Sequence, residues 1–164
     1  MPFNTVFAFE QDFAGSLRCI PMAVRYKLDL CGVKLSLRQW SHFTEDDRRA
    51  LLLRSCANVA EAASYRAALV ALIAGRTDED AVFLPEDAAP AWADAAQVPR
   101  QVIEHAAELG AAPPTLAQWQ GLSLLQRFAL MKLSRVSHDN VNFIPALREF
   151  GILPPRGCIT RHDE

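Results

Sequence analysis

The sequence predicts an all-α protein formed by a tandem duplication of a multi-helix unit, and three observations support this fold class. Signals for the start and end of helices recur along the chain, whereas convincing strand runs are few. Apolar residues make up 51% of the 164 residues and charged residues 22%, which is a globular composition. A pattern of residues around Trp40 also recurs around Trp119, at a constant offset of 79 residues.

The first half contains signals for four helices. Pro21 suits the first turn of a helix that Gly32 can end in a left-handed conformation. Ser36 begins a short helix through a capping box with the glutamine three residues later. Thr44 begins another, with three acidic residues at the positive end of the helix dipole. A fourth helix is predicted over residues 58–75.

The second half shows similar signals. Pro99 opens a helix that Gly110 closes, and capping boxes begin at Thr115 and Ser123. A last helix is predicted over about residues 139–150.

Three features of the second half are less regular. Pro145 lies inside the last helix, which indicates a late start or a kink. Residues 77–97 have weak periodicity and could hold one short helix around Trp92. Residues from Ile159 onward follow a Pro-Pro pair and are expected to be loosely held.

The two halves match at caps, core positions and helix ends. The residues that recur at the offset of 79 are Leu37, Gln39, Trp40, Arg48, Ala50 and Leu51, matched by Leu116, Gln118, Trp119, Arg127, Ala129 and Leu130. Flanking matches at slightly smaller offsets pair Phe7, Glu10, Pro21, Gly32 and Tyr65 with Phe83, Glu86, Pro99, Gly110 and Phe143. Chance seldom produces so many ordered matches, so we predict a duplication.

The predicted organisation follows from this duplication. We expect two units that share one core with pseudo-twofold character. The predicted boundaries are a single compact domain over 1–164, repeat unit one over 1–75, repeat unit two over 76–151 and a tail over 152–164. Each repeated tryptophan is expected in its own unit's core, and Arg48 and Arg127 are expected in surface or capping roles.

Bulk properties exclude several classes of function. The net charge of −2 and pI of about 6.1 disfavour bulk nucleic-acid binding. No run of 18 apolar residues exists, so no membrane span is predicted. The N-terminus lacks a basic region followed by an apolar one, so we expect a cytoplasmic protein.

The charge is unevenly distributed. Residues 1–75 carry +2 and the remainder −4, while residues 78–94 hold six acidic residues and no basic one. The candidate partner- or ligand-binding residues are Arg18, Cys19, Arg25, Lys27, Asp29, Cys31, Lys34 and Arg38.

Three interpretations of this basic run remain open. Arg25 and Asp29 have i,i+4 spacing and could form a solvated ion pair. The run could instead form a basic groove for an acidic partner segment or a phosphate-bearing ligand. It could also dock internally against residues 78–94.

A second polar cluster lies near the end of the chain. Its members are Lys132, Arg135, His138, Asp139, Asn140 and Asn142. The His138-Asp139 pair could act as an acid–base unit or could simply be a helix cap beside an exposed histidine.

The four cysteines are Cys19, Cys31, Cys56 and Cys158, and none forms a C-x-x-C pair. A zinc site made by the first three with His42 would lack the tight ligand pair that structural sites usually carry. Reduced thiols buried as small apolar side chains are the plainer interpretation. The sequence predicts no metal, no cofactor and no catalytic residue.

Five runs of the sequence carry a family resemblance: Phe9-Glu10-x-Asp12-Phe13, Leu17-Arg-Cys-Ile-Pro-Met-x-Val-Arg-Tyr-Lys-Leu-Asp29, Cys31-Gly-Val-Lys-Leu-Ser-Leu-x-Gln-Trp40, Gln126-Arg-Phe-Ala-Leu-Met-Lys-Leu-Ser134 and Asn142-Phe-x-x-Ala-Leu-Arg-Glu-Phe-Gly151. Together they resemble the nitrate reductase-associated protein family. The resemblance covers nearly the whole chain and departs most over residues 88–96. It implies genomic association with assimilatory nitrate reductase and molybdenum-cofactor genes, and it brings no catalytic residues with it.

Two functional hypotheses result. The first is a non-enzymatic accessory protein that binds nitrate reductase or a molybdenum-cofactor assembly protein through the basic run. The alternative is a small thiol- or metal-dependent enzyme, or a cofactor-binding protein, that uses Cys19, Cys31 and Cys56. The sequence leaves the oligomeric state open.

Overall fold

The computed structural model describes residues 5–85, 89–135 and 141–156. Over these residues the protein is mostly helical, with one antiparallel pair of short strands. The predicted helical class is therefore confirmed, and the strands are an addition to it. The chain divides into two compact units, Met1–Ala88 and Ala89–Glu164.

The first unit contains five α-helices and two strands among its described residues. They are α1 (Gln11–Ala14, after a 3₁₀ turn at Ala8–Glu10), α2 (Met22–Cys31), β1 (Val33–Lys34), α3 (Leu37–His42), α4 (Glu45–Leu53), α5 (Val59–Arg76) and β2 (Val82–Phe83).

Capping residues set the helix ends of the first unit as predicted. The Ser36 hydroxyl accepts a hydrogen bond from the amide of the third residue of α3, and Thr44 does the same for α4. The Asn58 side chain caps α5 in a similar way. Gly32 ends α2 with φ of 70°, in the left-handed region that suits glycine.

The strands of the first unit were not predicted. Val33 pairs with Phe83 and Lys34 with Val82, so β2 joins the first unit. Two residues per strand are too few to show the period-two pattern that identifies a strand. Phe83 is 48% exposed whereas Phe7 is buried, so this sequence match does not extend to similar surroundings.

The core of the first unit gathers side chains from α2, α3, α4 and α5. Its fully enclosed apolar residues include Val24, Val33, Trp40, Tyr65, Leu69 and Ile73. Trp40 donates its indole N–H to the carbonyl of Leu17 at 2.8 Å, which satisfies the polar atom of the buried ring. The prediction that Trp40 lies in its own unit's core is confirmed.

The second unit contains a 3₁₀ turn and four α-helices among its described residues. They are the turn at Ala91–Ala93, α6 (Arg100–Glu108), α7 (Leu116–Gly121), α8 (Leu124–Leu133) and α9 (Phe143–Glu149). The short helix expected around Trp92 is the 3₁₀ turn.

The predicted caps of the second unit are also present. Thr115 and Ser123 form the capping boxes of α7 and α8, and Gly110 adopts φ of 69° beyond α6. Helix α9 begins at Phe143, which confirms a late start. Pro145 then falls in the first turn, where a backbone N–H would have no intrahelical acceptor, so its missing N–H costs no helix hydrogen bond.

Trp119 and residues of α6, α8 and α9 form the core of the second unit. Its fully enclosed residues include Val102, Trp119, Leu125, Phe128, Leu130, Phe143 and Leu147. The expectations for residues 139–140 and for Ile159 onward lie outside the described residues. Across the described parts of the chain, no helix combines the length and apolar character needed to cross a bilayer.

Candidate functional site

The basic run of the first unit follows α2, β1 and the start of α3. Arg18, Arg25, Lys34 and Arg38 are exposed, whereas Asp29 and Cys19 are half-buried. These four cations therefore present positive charge to solvent, with Asp29 as the one acidic residue in the run.

Arg25 is held by the turn that precedes α2. Its Nε donates a hydrogen bond to the carbonyl oxygen of Ile20 at 3.2 Å. This contact orients the guanidinium at the N-terminal end of α2 and leaves its charge facing solvent.

Arg38 contacts an acidic residue of the segment that precedes β2 in the chain. Its guanidinium forms an ion pair with Glu79, and the β1–β2 pairing brings the two segments together. One interpretation of the basic run was that it packs against the acidic residues 78–94, and an ion pair of this kind agrees with that interpretation. Because the two side chains are 62% and 36% exposed, the pair contributes little to stability.

Lys27 differs from the other cations of the run because its side chain lies in the core. It is 1% exposed, and its Nζ donates to the carbonyl oxygen of Leu52 at 2.6 Å. Burial lowers the pKa of Lys27 to about 8, while the nearby Cys56 acts in the opposite direction. Lys27 therefore cannot belong to an exposed basic face, which corrects its place in the predicted set.

Tyr65 lies beside Lys27 and makes a similar contact to the neighbouring carbonyl. Its hydroxyl donates to the carbonyl of Leu51 at 2.8 Å, and the Lys27 Nζ lies 6.0 Å from the centre of its ring. Two side chains thus satisfy two consecutive carbonyls at the end of α4, where helical acceptors are lacking. The cluster joins α2, α4 and α5.

The described cysteines, Cys19, Cys31 and Cys56, are all free thiols. Cys31 and Cys56 are buried, and burial raises the pKa of both thiols, that of Cys56 to about 11. Burial therefore disfavours the thiolate form of both side chains. Cys19 is half-buried, His42 is exposed and Cys158 lies outside the described residues.

No metal centre is found in the part of the chain that the structure describes. Among those residues, no three His, Cys, Asp or Glu side chains are placed to share an ion. The described residues therefore provide no ligand arrangement that supports the metal-dependent form of the alternative hypothesis.

The second polar cluster is only partly described. The Lys132 ammonium lies 5.2 Å from the centre of the Phe128 ring, Arg135 is exposed, and Asn142 precedes α9. His138, Asp139 and Asn140 lie outside the described residues, so the acid–base hypothesis stays a prediction.

Two further buried polar residues were missed or misjudged from the sequence. Glu10 is 1% exposed, and its carboxylate accepts hydrogen bonds from the amides of Phe7 and Met22. It therefore caps α2 from twelve residues away, which no local motif signals. Arg127 was expected at the surface or in a capping role; the surface role is wrong, because the residue is buried within the second unit.

Arg48 fulfils the capping role expected of it. Its guanidinium donates to the carbonyls of Leu17, Trp40 and Ser41 at 3.0–3.2 Å. It also lies 5.8 Å from the centre of the Trp40 ring. Arg48 and Arg127 hold the same position in their helices. Arg48 bonds to three carbonyls, whereas the Nε and Nη1 atoms of Arg127 have no acceptor among the described residues.

These observations define a small, mostly helical protein with a cationic surface run, and no three His, Cys, Asp or Glu side chains of the described residues are grouped to hold a metal ion. A family model described as conserved nitrate reductase-associated protein matches residues 6–150. The chain belongs to this family, which confirms the resemblance seen in the sequence. Searches of curated proteins and of solved structures give no significant match.

Proposed function

We propose that this protein is a non-enzymatic, cytoplasmic accessory protein of nitrate assimilation. Its partner would be nitrate reductase or a protein of molybdenum-cofactor assembly. The observation that carries the proposal is the family match over residues 6–150, whose description names an association with nitrate reductase.

The exposed cations of the first unit are the surface that suits this role. Arg18, Arg25, Lys34 and Arg38 keep their charges at the surface, and the ion pair with Glu79 is itself exposed. Such a surface favours an acidic partner, because complementary charge accelerates encounter and fixes orientation. Lys27 and Cys31 take no part in it, because both are buried.

We also propose that the two units arose by tandem duplication. Equivalent capping boxes, tryptophan hydrogen bonds and left-handed glycines in both halves support this. After this duplication the first unit kept or gained the basic run. Its counterpart in α6 carries the exposed Ile103 where α2 carries Arg25.

Binding of the purified protein to purified nitrate reductase, and to purified cofactor-assembly proteins, tests the proposal. The decisive variant is the double reversal Arg18→Glu, Lys34→Glu, since both side chains are exposed. We expect it to raise the dissociation constant about tenfold or more at low salt.

A matched control is the double reversal Arg49→Glu, Arg100→Glu, which changes charge equally outside the run. These two arginines are exposed and form i,i+4 pairs that contribute little. Equal loss of binding in both variants would show a nonspecific charge effect. No binding of the unaltered protein to any of these partners would contradict the proposed function itself.

A further inference from the structure

Arg127 is a buried cation of the second unit, and two of its three guanidinium nitrogens lack acceptors among the described residues. The residue is 8% exposed, and its Nε and Nη1 are fully enclosed. No atom of the described residues accepts a hydrogen bond from either nitrogen. Buried charges are normally paired, because an unpaired one loses its hydration without compensation.

Arg48 shows what an arginine at this helical position does when it has partners. Leu17 adopts φ of 59°, and its carbonyl accepts from both the Trp40 indole and Arg48. The three carbonyls that Arg48 contacts give each of its guanidinium nitrogens one acceptor within the first unit.

In the second unit the tryptophan has a hydrogen-bond acceptor, but the Nε and Nη1 atoms of the arginine have none among the described residues. The Trp119 indole donates to the carbonyl of Asp94 at 2.9 Å, which matches the bond of Trp40. Asp94 is extended, with φ of −80° and ψ of 114°, unlike the left-handed Leu17. In the first unit the carbonyl that receives the tryptophan also accepts from the arginine, whereas in the second unit neither Nε nor Nη1 of Arg127 bonds to it.

We infer that Arg127 is the binding site of a small planar oxyanion. A guanidinium presents its donors in a plane, and carboxylate-like anions match that geometry with two parallel hydrogen bonds. Helical side chains lean toward the helix N-terminus, so Arg127 leans toward the start of the ten-residue α8. The positive end of that helix adds to the attraction.

Only 8% of Arg127 is exposed, so a ligand that reaches its guanidinium must be small. The guanidinium stands on a flexible stem and can turn toward the surface without movement of α8. The site is independent of the basic run, which lies in the first unit.

Thermal unfolding of the full chain in different sodium salts tests this inference. Formate, acetate and nitrate are the planar probes, and chloride at equal ionic strength is the reference. With a planar anion at about ten times its dissociation constant, the melting temperature should rise by about 3–6 °C above the chloride value.

Two variants locate the effect. Arg127→Met should abolish the anion-specific rise, and Arg127→Lys should weaken it because lysine lacks the planar fork. Arg49→Met, which alters an exposed arginine, should leave the rise unchanged. If Arg127→Met does not fold, Arg127→Lys carries the test: a reduced rise supports the site, and an undiminished rise overturns it.

The inference is overturned if the wild-type protein shows no difference between planar anions and chloride. It is equally overturned if a folded Arg127→Met variant keeps the full rise, because the anion would then bind elsewhere. Neither result bears on binding to nitrate reductase, so the two proposals fail separately.

Discussion

The α3–α4 pair of the first unit and the α7–α8 pair of the second have nearly the same backbone. The first of the two residues between the helices is Phe43 in one pair and Leu122 in the other, with φ of −74° and −75° and ψ of 146° and 149°. In both pairs a buried tryptophan donates to a carbonyl of the preceding segment, at 2.8 and 2.9 Å.

The buried polar contacts around these pairs differ. In the first unit, Lys27 donates to the Leu52 carbonyl at the end of α4. At the matching carbonyl of Met131, the second unit uses Gln101 and Ser134. A neutral amide and a hydroxyl thus do in one unit what a buried ammonium does in the other.

The aromatic residue beside this contact differs as well. Lys27 lies over the ring of Tyr65, while His105 meets the ring of Phe143 edge-on with centroids 4.7 Å apart. Phe143 lacks the hydroxyl with which Tyr65 satisfies Leu51. The comparison shows that one local backbone pattern tolerates different polar cores, provided that the helix-end carbonyls find donors.

The largest expected effect tests the shared part of the comparison. Trp40→Ala and Trp119→Ala should each lower the free energy of unfolding by about 3–5 kcal/mol, because both rings are fully buried. Chemical denaturation followed by circular dichroism measures this. A loss below about 1 kcal/mol in only one variant would show that the two tryptophans are not equivalent.

The next effect separates the two arginines. Arg48→Met should destabilise by about 1–3 kcal/mol, because three carbonyls lose a donor. In chloride buffer, Arg127→Met should be neutral or stabilising, since it removes a buried unpaired charge. Denaturation midpoints of the two variants give the comparison, and equal destabilisation by both would refute it.

The smallest effect concerns the pH dependence that Lys27 gives the first unit. Its pKa is lowered from 10.5 to about 8 in the folded protein, so the unfolded chain binds more protons between these values. The contribution of Lys27 to stability therefore rises as the pH increases through 8. Relative to Lys27→Met, the wild-type protein should gain about 1 kcal/mol between pH 7 and 9.

The buried thiols act in the opposite direction and limit the useful range. Burial raises the pKa of Cys31 and Cys56 above 9.0, so their contribution to stability is lost as the pH rises beyond that value. Burial raises the pKa of Tyr65 too, with the same sign of effect at still higher pH. Denaturation of both proteins at pH 7, 8 and 9 isolates Lys27, and parallel pH profiles would contradict the assignment.

The sequence by itself determined most helix boundaries, because these depend on local chemistry. Ser36, Thr44, Thr115 and Ser123 cap helices by bonding amides three residues away, and a contact of that range is visible in the sequence. The left-handed glycines are local features as well. The family was also identified from the residues alone.

Tertiary structure decided which charged residues are buried and what they contact. Lys27 reaches a carbonyl 25 residues away, and Glu10 caps a helix 12 residues away. Arg48 and Arg127 share one sequence pattern, yet their partners depend on how a distant segment approaches the tryptophan. Contacts of this range follow from the packing of helices, which no local pattern of residues contains.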